Sequence, residues 1–176
     1  ESEYRRVLNG FEKVAGRKAT AEDINRSIAL YNRIRATLRA LDQVRAASPQ
    51  SLAAAESWLL TRLSSLIPPE EYLALLEQAL EEVKTRVARP KDRIRVVLEG
   101  SFCEQPPIGL IECLEEAGCY ILDDDFLRGA RWFTGDVPIE SNPLHALAES
   151  YANRSVSSGV KHDLREAKAT HLINSF

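Results

Sequence analysis

Residues 98–133 read LEGSFCEQPPIGLIECLEEAGCYILDDDFLRGARWF, and this stretch gathers much of the chemically capable side chain in the sequence. All three cysteines lie in it: Cys103, Cys113 and Cys119. So does a run of aspartates at 123–125, and a Gly-Ser turn at Gly100-Ser101. Thiolates act as nucleophiles and metal ligands. Carboxylates hold hard cations or move protons. A redox site, a ligand-binding rim and a plain structural corner are all consistent with this composition.

Spacing narrows the options. The cysteines follow Cys-x9-Cys and Cys-x5-Cys, which match no zinc signature and lack the CxxC runs of ferredoxin-type clusters. A complete metal site inside the segment is therefore not expected. Cys103 reads either as a small buried packer or as a thiol at a helix N-terminus. Cys113 reads as core or helix flank, and Cys119 as strand core. The aspartates suit a hard cation, but a solvated loop that stops a strand is the plainer reading, with Arg128 and Arg131 pairing with the acids. His145, His162 and His171 are scattered and support no triad. There is no GxSxG, no P-loop and no GxGxxG.

The elements that must position these groups follow from period. Ile94–Leu98 is short, β-branched and bounded by charges and Gly100, which predicts a buried strand. Pro106-Pro107 opens a helix through Ile108, Leu110, Ile111 and Leu114, with Gly118 as its C-cap. Residues 119–122 form a second apolar run that ends in the aspartates. Strand, helix, strand is the βαβ unit of a parallel sheet. Ligands of such sheets sit beyond the carboxyl ends of the strands. Ser101, Cys103, Glu104 and Gln105 after the first strand are thus expected to share one sheet edge with the aspartates after the second. A helical turn is expected at 126–133, a helix from Pro143 to about Asn153, a loop at 155–159 and a helix from about Arg165.

The preceding half is helical. Tyr4, Val7, Leu8, Phe11 and Val14 recur at helical spacing, and Gly16 punctuates them. Thr20 with Asp23 resembles a capping box. A long helix should follow with Ile24, Ile28, Tyr31, Ile34, Leu38 and Leu41 on one face, stopped by Ser48-Pro49. Its arginines read as a solvated or partner-facing surface. A third helix carries Leu52, Leu59, Leu63 and Leu66. A fourth starts at Pro69 and carries Leu73, Leu76, Leu80, Val83 and Val87. The expectation is an α/β fold: a helical layer over residues 1–90, leading into a partial, Rossmann-like parallel-sheet lobe over 91–176, truncated at both ends.

Composition sets outer bounds. At 176 residues and 44% apolar, the chain can build a core. A net charge of −3 gives no general attraction to nucleic acid or anionic membrane. No apolar run approaches the ~20 residues of a membrane span. An odd number of cysteines argues against a disulfide framework and fits a reducing compartment, the cytoplasm. With no methionine and a start at Glu1, a segment of a longer protein is expected.

GSFCEQPPIGLIECLEEAGCYILDDDFLRGARWF resembles the 2-hydroxyacyl-CoA dehydratase/benzoyl-CoA reductase family, nearest to the B-type subunit of its benzoyl-CoA reductase branch. INRSIALYNRIRATLRAL resembles the family's helix between two α/β lobes, and NPLHALAESYANRS and VKHDLREAKATHLI resemble the family's later segments. CEQPP and DDDFLRGARW are the specific pieces. The resemblance implies ATP-dependent reduction of benzoyl-CoA to a cyclic dienoyl-CoA, or dehydration of a 2-hydroxyacyl-CoA, or a non-catalytic assembly subunit of such a complex. It implies a homologous second catalytic subunit, ATP-hydrolysing electron-activating subunits, ferredoxin as electron donor and an aromatic acyl-CoA substrate. It also implies a 4Fe-4S cluster whose ligands lie mostly outside this segment, so the segment alone is expected to hold no cluster and to be inactive. Within this frame Glu104 and Asp124 are candidate proton donors, on the condition that burial raises their pKa values. Ser101, Cys103, Gln105 and Arg128 are candidate wall residues of the substrate cavity.

Overall fold

The computed structural model describes residues 1–98, 106–124 and 130–154, with the side chains of residues 130, 131 and 154 left aside. The chain folds as mixed α/β: a predominantly helical structure around a small parallel sheet. The helical half consists of α1 (Ser2–Ala15), α2 (Ala21–Ala47), α3 (Ala54–Leu63) and α4 (Pro69–Thr85). Then come β1 (Ile94–Leu98), α5 (Ile108–Glu116), β2 (Cys119–Asp124), the short α6 (Ala130–Phe133) and α7 (Pro143–Arg154).

Helix ends follow local chemistry. Thr20 accepts from the Asp23 N–H at 3.1 Å while Asp23 accepts from the Thr20 N–H at 3.0 Å, so the expected capping box forms with Asp in the Glu position. Ser48 ends α2, and Pro69 occupies the first turn of α4, where its missing N–H leaves no internal bond unmade. At the end of α1, Gly16 takes the left-handed conformation at φ 67°. The N-terminus of α3 is satisfied by Glu56, which accepts from Ala53 N, and by Glu115 of α5, which accepts from Ala54 N at 2.7 Å.

The α2 stripe Ile34, Leu38 and Leu41 packs against Tyr72, Leu73, Leu76 and Val83 of α4, with Leu52 and Phe133 closing the cluster. A second cluster joins Ile28 to Val137 and Ala146, and a third joins Ala54, Ile111 and Ile121. The helical half thus rests directly on the strand half, with α2 and α3 both touching β2.

Several expectations are corrected. β1 is not a buried strand: Ile94 and Arg95 are exposed and the rest half-buried, because only one partner strand flanks it among the described residues. β2 is the buried strand, and it runs on through Asp123 and Asp124 rather than stopping before them. Leu59 and Leu66 are exposed. The inner face of α3 is built instead from Ala54 and Thr61, with Trp58 packed beside them, while Leu52 is buried just before the helix begins. Val87 lies beyond α4 and is exposed. No residue of α1 is buried: the helix forms, but Val7, Phe11 and Val14 face outward. The arginines of α2 are not simply a solvated face, since Arg35 and Arg45 are buried and Arg39 donates to the Phe133 carbonyl at 2.8 Å. Expectations for 155–159 and for the last helix lie outside the described residues, as does the first part of the turn at 126–133.

Tyr72 provides a sensitive probe of this packing. Its hydroxyl donates to the Leu60 carbonyl at 2.9 Å, and burial pushes its phenol pKa well above the ordinary 10.0. A raised folded-state pKa gives a contribution that is complete below the unfolded-state value and lost as pH climbs past it. Urea unfolding of the wild-type chain should therefore show stability falling above pH ~10. Tyr72→Phe should cost about 1–2 kcal/mol at neutral pH through the orphaned carbonyl, and should flatten that alkaline decline.

Candidate functional site

The site is built where β1 and β2 end. The strands pair in parallel as Ile94↔Cys119, Arg95↔Tyr120 and Val96↔Ile121, and then the register shifts so that Val97 meets Asp123 and Leu98 meets Asp124. Leu122 is the extra residue of this bulge, and it is fully buried. A bulge re-aims the side chains that follow it. Its result here is that two successive aspartates lie inside the fold, with Asp123 only 3% exposed.

A cation on α2 faces them. Arg45 is 2% exposed, and its Nη2 lies 2.6 Å from Asp42 Oδ1 and 3.4 Å from Asp124 Oδ2. Burial works against the guanidinium charge, but Asp42 and Asp124 outweigh it and hold the Arg45 pKa above its ordinary value. Burial pushes the Asp42 carboxyl above the usual carboxylate range, with Arg45 pulling the other way. The Asp124 N–H donates to Asp123 Oδ1 at 2.8 Å, which fixes one aspartate against the other. Beside this group is a cavity of about 10 Å³, walled by Arg45, Trp58, Thr61, Leu98, Asp124 and Phe133 among others.

Of the residues singled out from sequence, Asp124 is the one described at this edge. Ser101, Cys103, Glu104, Gln105 and Arg128 lie outside the described residues, and so does the expected proximity of Cys103 to the aspartates. Cys113 is exposed on α5. Cys119 is half-buried at the amino end of β2, the opposite end from Asp124. These two thiols do not converge, and among the described residues no group of three His, Cys, Asp or Glu side chains could hold a metal ion. The described residues therefore do not fit an iron–sulfur cluster, and no step is derived through one. The reading of the aspartates as a solvated loop is corrected for Asp123 and Asp124, which the bulged strand carries into the interior.

Arg45 was missed by sequence reading, although a signal was present. Ile34, Leu38, Leu41 and Arg45 continue one helical stripe, so the arginine occupies a core position. A charge at such a position calls for a buried partner. Asp42, one turn back, is half of the answer; Asp124 is distant in sequence. Arg35, also buried, lies 3.9 Å from Asp136, bonds to Asn32, and belongs to a second polar seam. There Asn32 exchanges bonds with the Val137 backbone at 2.8 and 2.9 Å.

Fold and site together define a mixed α/β domain with a buried carboxylate–arginine group at the carboxyl edge of its sheet. The family model for the 2-hydroxyglutaryl-CoA dehydratase D-component matches residues 1–175, and the chain belongs to that family. It is 33% identical over 165 residues to a benzoyl-CoA reductase subunit of Thauera aromatica, covering 94% of this chain and 43% of that protein. It is 28% identical over 174 residues to the beta subunit of lactoyl-CoA dehydratase of Anaerotignum propionicum, covering 98% and 46%. It is 23% identical over 158 residues to the (R)-phenyllactyl-CoA dehydratase beta subunit of Clostridium sporogenes, covering 90% and 42%. The chain thus spans less than half the length of these curated relatives. No helix among the described residues is long and apolar enough to cross a membrane.

Removing one member of a buried ion group costs more than replacing the whole group, because the remaining charges lose their counter-ion. Arg45→Met should destabilise the chain by about 3–5 kcal/mol in urea unfolding. Adding Asp42→Asn and Asp124→Asn to that variant should recover most of the loss.

Proposed function

We propose that this chain forms part of a subunit of an ATP-dependent benzoyl-CoA reductase, an oxidoreductase that dearomatises benzoyl-CoA to a cyclic dienoyl-CoA. The observation that carries the reading is the 33% identity to a benzoyl-CoA reductase subunit across 94% of the chain. The second reading is a 2-hydroxyacyl-CoA dehydratase subunit, favoured by the matches to lactoyl-CoA and phenyllactyl-CoA dehydratase subunits. In either case the working unit is a cytoplasmic hetero-oligomer. It comprises a homologous second subunit, ATP-hydrolysing electron-activating subunits fed by ferredoxin, and a 4Fe-4S cluster held by ligands outside the described residues.

The chemistry asks three things of the protein: bury the acyl group, exclude water and supply a proton. The carboxyl edge of the sheet is where an α/β protein places such a ligand. Ser101, Cys103, Gln105 and Arg128 serve as cavity wall in this proposal, and Glu104 as proton donor. Asp124 stands at the same edge, held by Arg45. It is the second candidate acid.

The full-length subunit, reconstituted anaerobically with its partner and activating subunits, should reduce benzoyl-CoA and leave 2-hydroxyacyl-CoA untouched; dehydration without dearomatisation would select the second reading. In that complex Glu104→Gln should lower turnover about 10²-fold, as suits loss of a general acid, with folding and iron content unchanged. Unchanged turnover would return Glu104 to a structural role.

A further inference from the structure

The cavity at the end of β2 has a wall chemistry that its apolar neighbours do not explain. Both carboxylates of the ion group are engaged by a single nitrogen of Arg45, Nη2. Arg45 Nε is buried and has no hydrogen-bond partner. The indole Nε1 of Trp58 is likewise buried and without a partner. Both residues line the cavity, which is about 10 Å³ in volume. Buried N–H groups are seldom left orphaned, since the lost hydration is not recovered.

Oxygen acceptors complete the wall. Asp124 contributes its carboxylate, and Thr61 a hydroxyl whose proton is committed to the Ser57 carbonyl at 2.9 Å, leaving its lone pairs available. Two N–H donors and two oxygen acceptors match the four bonds of one tetrahedral water. The volume matches too, because a cavity needs roughly 10–15 Å³ of this measure to hold a water. A phosphate, a thiol or an acyl carbonyl is too large to enter. A small anion is disfavoured by charge, because the single guanidinium is already faced by Asp42 and Asp124. Cavities that stay dry are apolar, and this one is not.

We propose that this cavity is a binding site for a single ordered water, accepting from Arg45 Nε and Trp58 Nε1 and donating to Asp124 and Thr61. The water joins α2, α3 and the end of β2 into one polar network. Through it Trp58 and Thr61 become positioning residues for the carboxylate at the sheet edge. The water site is independent of the choice of substrate.

A high-resolution crystal structure of the full-length subunit in its complex tests it. The expected result is a water oxygen within ~3.2 Å of both Arg45 Nε and Trp58 Nε1. An empty cavity, or a protein oxygen on either nitrogen, would overturn the proposal. Trp58→Phe keeps the ring and removes the donor, and in the same crystal form the water density should weaken or shift towards Arg45. A water unchanged in position and strength in that variant would show that Trp58 does not hold it, and would equally sink the proposal. The wild-type map decides the matter by itself if the variant does not fold.

Discussion

Burying the charge of Arg45 is the constraint around which the rest of this structure is arranged. A guanidinium taken out of water must meet carboxylates of good geometry or the fold loses more than its apolar contacts supply. Asp42 is at hand on the same helix, one turn away. Asp124 must be brought from the far end of β2, and that requires α2 to lie along the sheet and β2 to deliver an aspartate inward. The bulge at Leu122 does the second part, by shifting the strand's facing pattern by one residue.

Around that ion group, α2 acts as the common support. Its apolar stripe packs on α4, its C-terminal turn meets β2, and its polar side grips the segment from Phe133 to Glu140. Asn25 donates to the Glu140 carbonyl at 2.8 Å, Asn32 pairs with the Val137 backbone, and Arg39 binds both the Phe133 carbonyl and Asp136. Irregular backbone needs its N–H and C=O groups satisfied, and here one helix supplies partners at three levels. The connection that follows β2 is thereby held against the same helix that holds Asp124. This is how a small sheet with two described strands can present a fixed carboxyl edge.

The opposite end of the sheet is organised differently. Arg93 lies over the Tyr120 ring, 5.3 Å from its centroid, and donates to the carbonyls of Glu115 and Cys119. Arg86 reaches Glu56, Glu82 and the Ser51 carbonyl. These exposed or half-exposed contacts tie the helical half to the start of β1 with modest energies, since solvent screens them. Among the described residues, the buried charges that touch the sheet are gathered at its carboxyl edge. That asymmetry fits the general placement of ligand sites in parallel sheets.

Local chemistry determined much of this protein from sequence alone. The capping box at Thr20, the stop at Ser48-Pro49, the proline start of α4, the left-handed Gly16 and the strand–helix–strand order all follow from interactions within a few residues, so period and capping rules reach them. The family resemblance was legible for the same reason that CEQPP and DDDFLRGARW are uncommon strings. What only the tertiary structure decided depends on partners distant in the chain. Whether an apolar stripe is covered is one such matter: Leu38 is buried by α4, while the equally periodic Phe11 faces outward. The aspartates are another. In sequence they look like a polar stop, yet a bulge and an arginine 79 residues away turn two of them inward. No local rule carries that information, because the energy that decides it is the desolvation of charges whose partner is chosen by the packing of α2 on the sheet.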